Sequence, residues 1–358
     1  MRALLLATLA LIASACTRIS GPKLAPPPPA NLVYPGEEKH LSNIKQLTFG
    51  GENAEAYFSA DGQWLIFQSQ RGGYGCDEQY VMRADGTDVR KVSTGMGRVT
   101  CGYFFGMKDG LPANVVYAST HDHARECPPR PSYLRGYVWP IYPTYEIYTD
   151  SFRGGALRRL TNNGFYDAEA TVSPDGKKMV FTSTRDGDLD LYVMNTDGTG
   201  LRRVTTDLGY DGGAFFTHDG KRLIYRAYHP ETEEEKKTYV ENLKNNVYKP
   251  TWLELFVIDL DGRNKKQITS LRAGTFAPFM FPGDKRVIFS SSKNSKSGRV
   301  FDLFAVDIDG RNLEQITFSN TFDSFPMFSP DGKKLVWASN RNQKEKGETN
   351  VFIADWTP

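Results

Sequence analysis

Three things are scarce in this sequence, and each scarcity excludes a class of function. There is no excess of either charge: the formal net charge is +2 and no basic run is present, so a nucleic-acid partner is not expected. There is no Gly-x-Ser-x-Gly elbow, no room for an appended α/β domain and no phosphate-binding glycine loop, which removes the serine-peptidase and nucleotide-binding readings. Long apolar stretches are absent except over residues 3–15. That run is too short to span a bilayer and follows Arg2, as in a signal peptide. Cysteine is also rare, with 4 in the chain.

What is present at the amino terminus has its own logic. Ala13-Ser14-Ala15-Cys16 resembles a lipobox, in which small residues precede a cysteine that becomes lipidated. Thr17 stands where an inner-membrane retention signal would carry Asp, so the expected destination is the outer membrane, with the folded part in the periplasm. The expected layout is a signal peptide over residues 1–15, a lipidated Cys16 with a proline-rich tether over 16–43, and one domain over 44–358. Pro26 to Pro29 make the tether stiff and extended. Beyond Cys16, an exported chain with Cys76, Cys101 and Cys127 is expected to form one disulfide and keep one thiol. All three pairings stay open.

The body is a repeat. Ser173-Pro174-Asp175-Gly176-Lys177-Lys178 returns as Ser329-Pro330-Asp331-Gly332-Lys333-Lys334, with looser copies at Asp61-Gly62, Asp109-Gly110, Asp219-Gly220 and Gly283-Asp284. A second turn signal follows in most copies, as at Asp85-Gly86, Asp197-Gly198, Asp261-Gly262 and Asp309-Gly310. Such pairs between apolar, β-branched runs mark tight hairpins. Each unit therefore reads as four strands, A to D, and six units predict an all-β, six-bladed propeller. The sixth unit lacks a D strand. Gln46-Leu47-Thr48 has the pattern of the other D strands, such as Gln315-Ile316-Thr317, so an amino-terminal strand is expected to complete the last blade and close the ring. Long insertions separate B from C in blade two (residues 122–145) and blade four (230–252); in the second, 231–245 suits a short helix.

Runs such as Asp190-Leu191-Tyr192-Val193-Met194-Asn195-Thr196-Asp197-Gly198 resemble the WD-type propeller repeats of the TolB family, over residues 44–358. The resemblance implies a binding scaffold of the bacterial envelope. Related propellers include oligogalacturonate lyase, which implies an alternative: a metal-dependent lyase or other carbohydrate-active enzyme. TolB itself carries an amino-terminal α/β domain that the tether replaces here.

Several residue columns bear on function. Arg71, His121, Arg185, His229, Lys293 and Arg341 follow strand B; Glu78, Glu146, Asp190, Glu254, Asp302 and Asn350 open strand C. B and C are neighbours, so the two columns are expected to pair within each blade. His121 and His229, with His123, are the alternative candidates for a metal site. Just ahead of strand A stand Asp167, Asp211 and Asp323, and two positions on stand Glu55 and Glu169. With no partner in view, these five carboxylates are expected at the channel mouth, as a docking site for a cationic peptide segment or a Ca²⁺ ion. Arg226 is placed to partner one of them. The expectation is a monomeric protein- or peptide-binding scaffold, touching the membrane through its lipid only, with no catalytic residues and no obligatory cofactor.

Overall fold

The structure, a computed structural model, describes residues 31–131 and 137–358. Cys16 and the four prolines lie outside the described residues. Six four-stranded antiparallel sheets are arranged as a ring, each sheet ordered A-B-C-D from the axis outward. Blade three shows the pattern: A is Asp167–Val172, B is Lys178–Ser183, C is Asp190–Asn195 and D is Arg202–Arg203.

The repeated Ser-x-Asp-Gly sequence has a local cause. In the A–B turn of blade three, Ser173 Oγ donates to Asp175 Oδ1 at 2.6 Å, and that oxygen also accepts from the Lys177 amide at 3.1 Å. Gly176 takes φ 71°, a left-handed conformation that disfavours other residues. Ser329 and Asp331 repeat these bonds in blade six. Between turns, strand B is buried on both faces, as Val180, Phe181, Leu335, Val336 and Trp337 show. Sheet faces packed on neighbouring blades favour such β-branched and aromatic runs.

Blade six is built from both ends of the described chain, in the order Leu41–Gln46, Asn350–Trp356, Lys334–Ser339, Asp323–Phe328 from rim to axis. Leu41 pairs with Trp356 and Gln46 with Phe352, and the Leu47 amide continues to the Val351 carbonyl at 2.8 Å. The ring closes as the sequence implies. The folded part begins earlier than residue 44, however. Glu37 is fully buried against Arg341, at 3.1 Å, and Arg341 also meets Asp323 at 3.2 Å. His40 stacks on Trp356 with ring centroids 4.9 Å apart. Residues 31–40 thus form a strap bound to the closing blade. The sequence disguised it because its anchor, a buried glutamate, looks like tether composition until the cation is in place.

The two insertions meet. Trp139–Pro140 from blade two pairs antiparallel with Val247–Tyr248 from blade four. The helix Glu233–Lys244 precedes the second of these strands and is started by a capping box between Thr232 and Glu235. Cys76 of blade one is joined to Cys127 of the blade-two insertion, and Cys101 is free.

Candidate functional site

The charged columns pair, but not as expected. Arg185 binds Asp167 through two 2.9 Å contacts, His229 Nε2 lies 2.9 Å from Asp211, Arg341 binds Asp323, and Arg71 donates to Asn53. The cation after strand B thus turns to the residue that opens strand A, not to strand C. Strand B is hydrogen-bonded to both neighbours, and its side chain folds back over aromatic rings of its own sheet. Arg185 lies 5.2 Å from the Phe181 ring centroid and 4.8 Å from that of Tyr192. The acids that open strand C face outward to strand D. Asp190 accepts from Arg203 at 2.6 Å and Thr205 at 3.2 Å, Glu254 from Thr269 at 2.6 Å, Glu146 from Arg159 at 2.9 Å, and Asp302 from Gln315 at 3.1 Å.

This overturns the supposition that the Asp column lacks partners. Asp167, Asp211 and Asp323 are fully buried, each held by its own blade's cation. Burial pushes the Asp167 carboxyl up and Arg185 works against that rise; for Asp211, burial again raises and His229 opposes. The lapses in the column are matched by lapses in its partner. Blade two has Val99 in place of the acid, and His121 Nδ1 turns instead to Ser119 Oγ at 2.8 Å. Blade five has Thr275, which bonds Ser291 at 3.0 Å and leaves Lys293 exposed.

Glu55 and Glu169 do face the channel, for a backbone reason. In every blade the A–B register slips at one bulge, for example between Ala168 and Thr171. The bulge residue takes a left-handed conformation: Glu55, Cys101, Glu169, Gly213, Ala277 and Phe325 have φ between 51° and 61°. Such values are rare outside glycine, and here they recur six times around one axis. The bulge aims these side chains inward, and together they line a cavity of about 30 Å³, room for little more than a water molecule.

The lining is uneven. Arg226 bonds Glu169 and the Tyr210 hydroxyl at 2.7 Å, and Glu169 accepts further from Thr182 at 2.8 Å and the Gly213 amide at 3.0 Å. Burial works against the Arg226 charge, but the Glu169 carboxylate holds its pKa above the ordinary value. A Cβ at Gly213 would lie 2.5 Å from Arg226 Nη1, so the absent side chain leaves room for the guanidinium. Burial raises the Glu55 carboxyl to about 7, against the Cys101 hydrogen bond and the Arg226 charge. The Cys101 thiol is pushed well above its usual range by burial and by the charges of Glu55 and Glu169. Ala277 and Phe325 make the opposite wall apolar.

Above this ring lies the cap made by the insertions. Trp139 stacks over Arg226, 5.1 Å from the guanidinium, and Tyr248 stacks on Tyr210 at 4.5 Å. The sequence pointed to Arg226 but did not single out Trp139 and Tyr248 in the insertions or Tyr210 at the start of blade four's inner strand.

The metal reading does not fit these residues. His121 pairs within its own loop and His229 is committed to Asp211, neither meeting the expected Glu146 or Glu254. Among the described residues no three His, Cys, Asp or Glu side chains form a group that could hold a metal ion. The mouth likewise lacks the five free carboxylates a Ca²⁺ site would have drawn on.

A closed ring of six four-stranded blades, its A strands lining a narrow channel, defines the class: a six-bladed β-propeller. The propeller is TolB-like, and residues 143–249 match the TolB beta propeller domain family. A putative TolB from Agrobacterium tumefaciens superimposes with a TM-score of 0.56 at 18% identity, covering 88% of this chain and 97% of that one. TolB from Acinetobacter baumannii gives 0.52 at 16% identity, covering 86% of this chain and 64% of that one. An oligogalacturonate lyase in complex with manganese gives 0.50 at 13% identity, over 88% and 93% of the two chains. At these identities the likeness is one of fold.

Proposed function

We propose that this chain is a binding scaffold of the bacterial envelope, anchored in the outer membrane through a lipid on Cys16, that presents one face to a protein or peptide. One observation carries the reading. Among the described residues, the most exposed aromatic side chains, Phe49, Tyr74, Tyr137, Phe165 and Phe318, all lie on B–C or D–A connections and hence on one face of the ring. Exposed apolar residues of the opposite, tight-turn face are aliphatic, as at Val89, Leu157, Leu201 and Leu313. Aromatics concentrated on one face are the mark of an interaction surface. Glu55, Glu169 and Arg226 line the channel below that face, while Asp167, Asp211 and Asp323 support the strands that carry them.

The test is in-cell crosslinking followed by capture of the wild type and of a Phe49→Ser, Phe165→Ser double variant. Both residues are exposed, so the variant should fold. Loss of the crosslinked partners from the variant is the expected result. An unchanged set of partners would move the binding surface elsewhere.

A further inference from the structure

The cap divides the loop face into two halves of different chemistry. It covers the side of blades two to four, where Trp139 and Tyr248 meet over Tyr210. Among the described residues, the side of blades five and six carries no such insertion, and its connections differ in charge. The B–C loops of blades five and six carry Lys293, Lys296, Arg299, Lys344 and Lys346, all exposed. None of these five has an ion-pair partner among the described residues. The exposed acids of these loops and of the adjoining D–A connections are Glu345 and Glu52.

The imbalance has structural causes. Glu348, which could have neutralised a lysine, is buried and spent on backbone: it accepts from the amides of Gly50 at 2.9 Å, Lys344 at 2.6 Å and Glu345 at 3.1 Å. Asp302 and Asp323 are buried in the blade bridges. Lys293 stands opposite Thr275, which bears no charge and is bonded to Ser291 instead. Two exposed rings flank the basic loops. Phe49 precedes the Gly50 amide that Glu348 holds, so it is pinned beside the Lys344–Lys346 loop. Phe318 lies against Gly36 of the strap, where a Cβ would be 3.1 Å from the ring, and Asn294 of the blade-five loop bonds Gln315 at 2.7 Å.

We infer that the open half of the loop face, over blades five and six, docks an acidic peptide segment of the partner, its carboxylates meeting the two basic loops and an apolar side chain seated by Phe49 and Phe318. This rests on the binding-scaffold reading and names the chemistry of its partner. It also inverts the polarity expected from the sequence, because the carboxylates that promised a cationic partner are neutralised inside the blades. An acidic lipid surface would supply the same charge, but Phe318 packs against Gly36 of the strap and is less free than a membrane-inserting tip would be. Unpaired cations on exposed loops attract an anionic segment at long range and fade with salt.

The experiment uses the mature chain and a fluorescein-labelled glutamate-rich peptide carrying one phenylalanine, with phosphatidylglycerol vesicles and a lysine-rich peptide as further probes. Binding of the acidic peptide should weaken with added salt and fall about tenfold or more when all five cations become glutamine. Replacing the five with glutamate should transfer binding to the lysine-rich peptide, which shows that the variants are folded. Equal affinity of wild type and the glutamine variant, or no binding to the wild type, overturns the inference. So does a preference for vesicles, which assigns the loops to the membrane. If the glutamine variant still captures the crosslinked envelope partner, the acidic-partner inference fails while the scaffold reading stands.

Discussion

Glu55 shows what the channel asks of a single side chain. Its carboxyl titrates at about 7 when folded, against an ordinary 4.5, because burial penalises the charge more than Cys101 and Arg226 favour it. The folded state therefore holds this proton more tightly than the unfolded state. The stability that results is fully present below pH 4.5 and is lost as pH rises through about 7. Glu55→Gln carries no charge at any pH, so it should flatten this part of the profile. Urea midpoints at about pH 5 and about pH 8 measure it: the wild type should lose more than the variant on going up. An equal change in both proteins would show that Glu55 does not titrate in this window.

Among elements, the insertions matter most. The blade-two insertion is fastened at one end by Cys76–Cys127, which closes a loop with a sequence separation of 51, and further on by its ribbon to blade four. Replacing both cysteines by serine should cost about 2–4 kcal/mol, read from thermal unfolding, and should raise the protease sensitivity of residues 122–131. A variant that melts with the wild type would mean the ribbon alone holds the insertion. Blades were legible in the sequence because Asp-Gly turns and apolar strands repeat. The helix Glu233–Lys244 was legible through its charge. The ribbon was not, since a two-residue pairing leaves no periodicity. Nor was the side to which Arg185 or Arg341 turns, because strand B has a neighbour on each side and spacing along the chain does not choose between them. The six bulges were hidden for a similar reason: a left-handed φ at Glu55 or Phe325 runs against residue preference and follows from the crowding of six strands at one axis.

At the scale of the whole molecule, stability depends on closure. Removing residues 41–48 deletes Leu41, Ile44 and Leu47 from the core and strips Asn350–Trp356 of its outer partner. The loss should be roughly 5 kcal/mol or more, and the bared strand edge should promote self-association. Calorimetry with light scattering checks both. A truncated chain that stays monomeric and melts normally would mean the ring is held shut by other contacts, such as the buried Arg341 with Asp323.

The same closure sets an order of events during biosynthesis. The strand Leu41–Gln46 leaves the ribosome before any other strand of the ring, yet its partner Asn350–Trp356 is made after all the others. Until those residues are made it has nothing to pair with, and Glu37 has no Arg341 to meet. Contacts so distant in sequence slow folding, because a large loop must be closed before they stabilise anything. The ring thus stays unlatched until Asn350–Trp356 has been made. A nascent chain stopped before Asn350 has a clasp with no eye, its outer strand still without a partner.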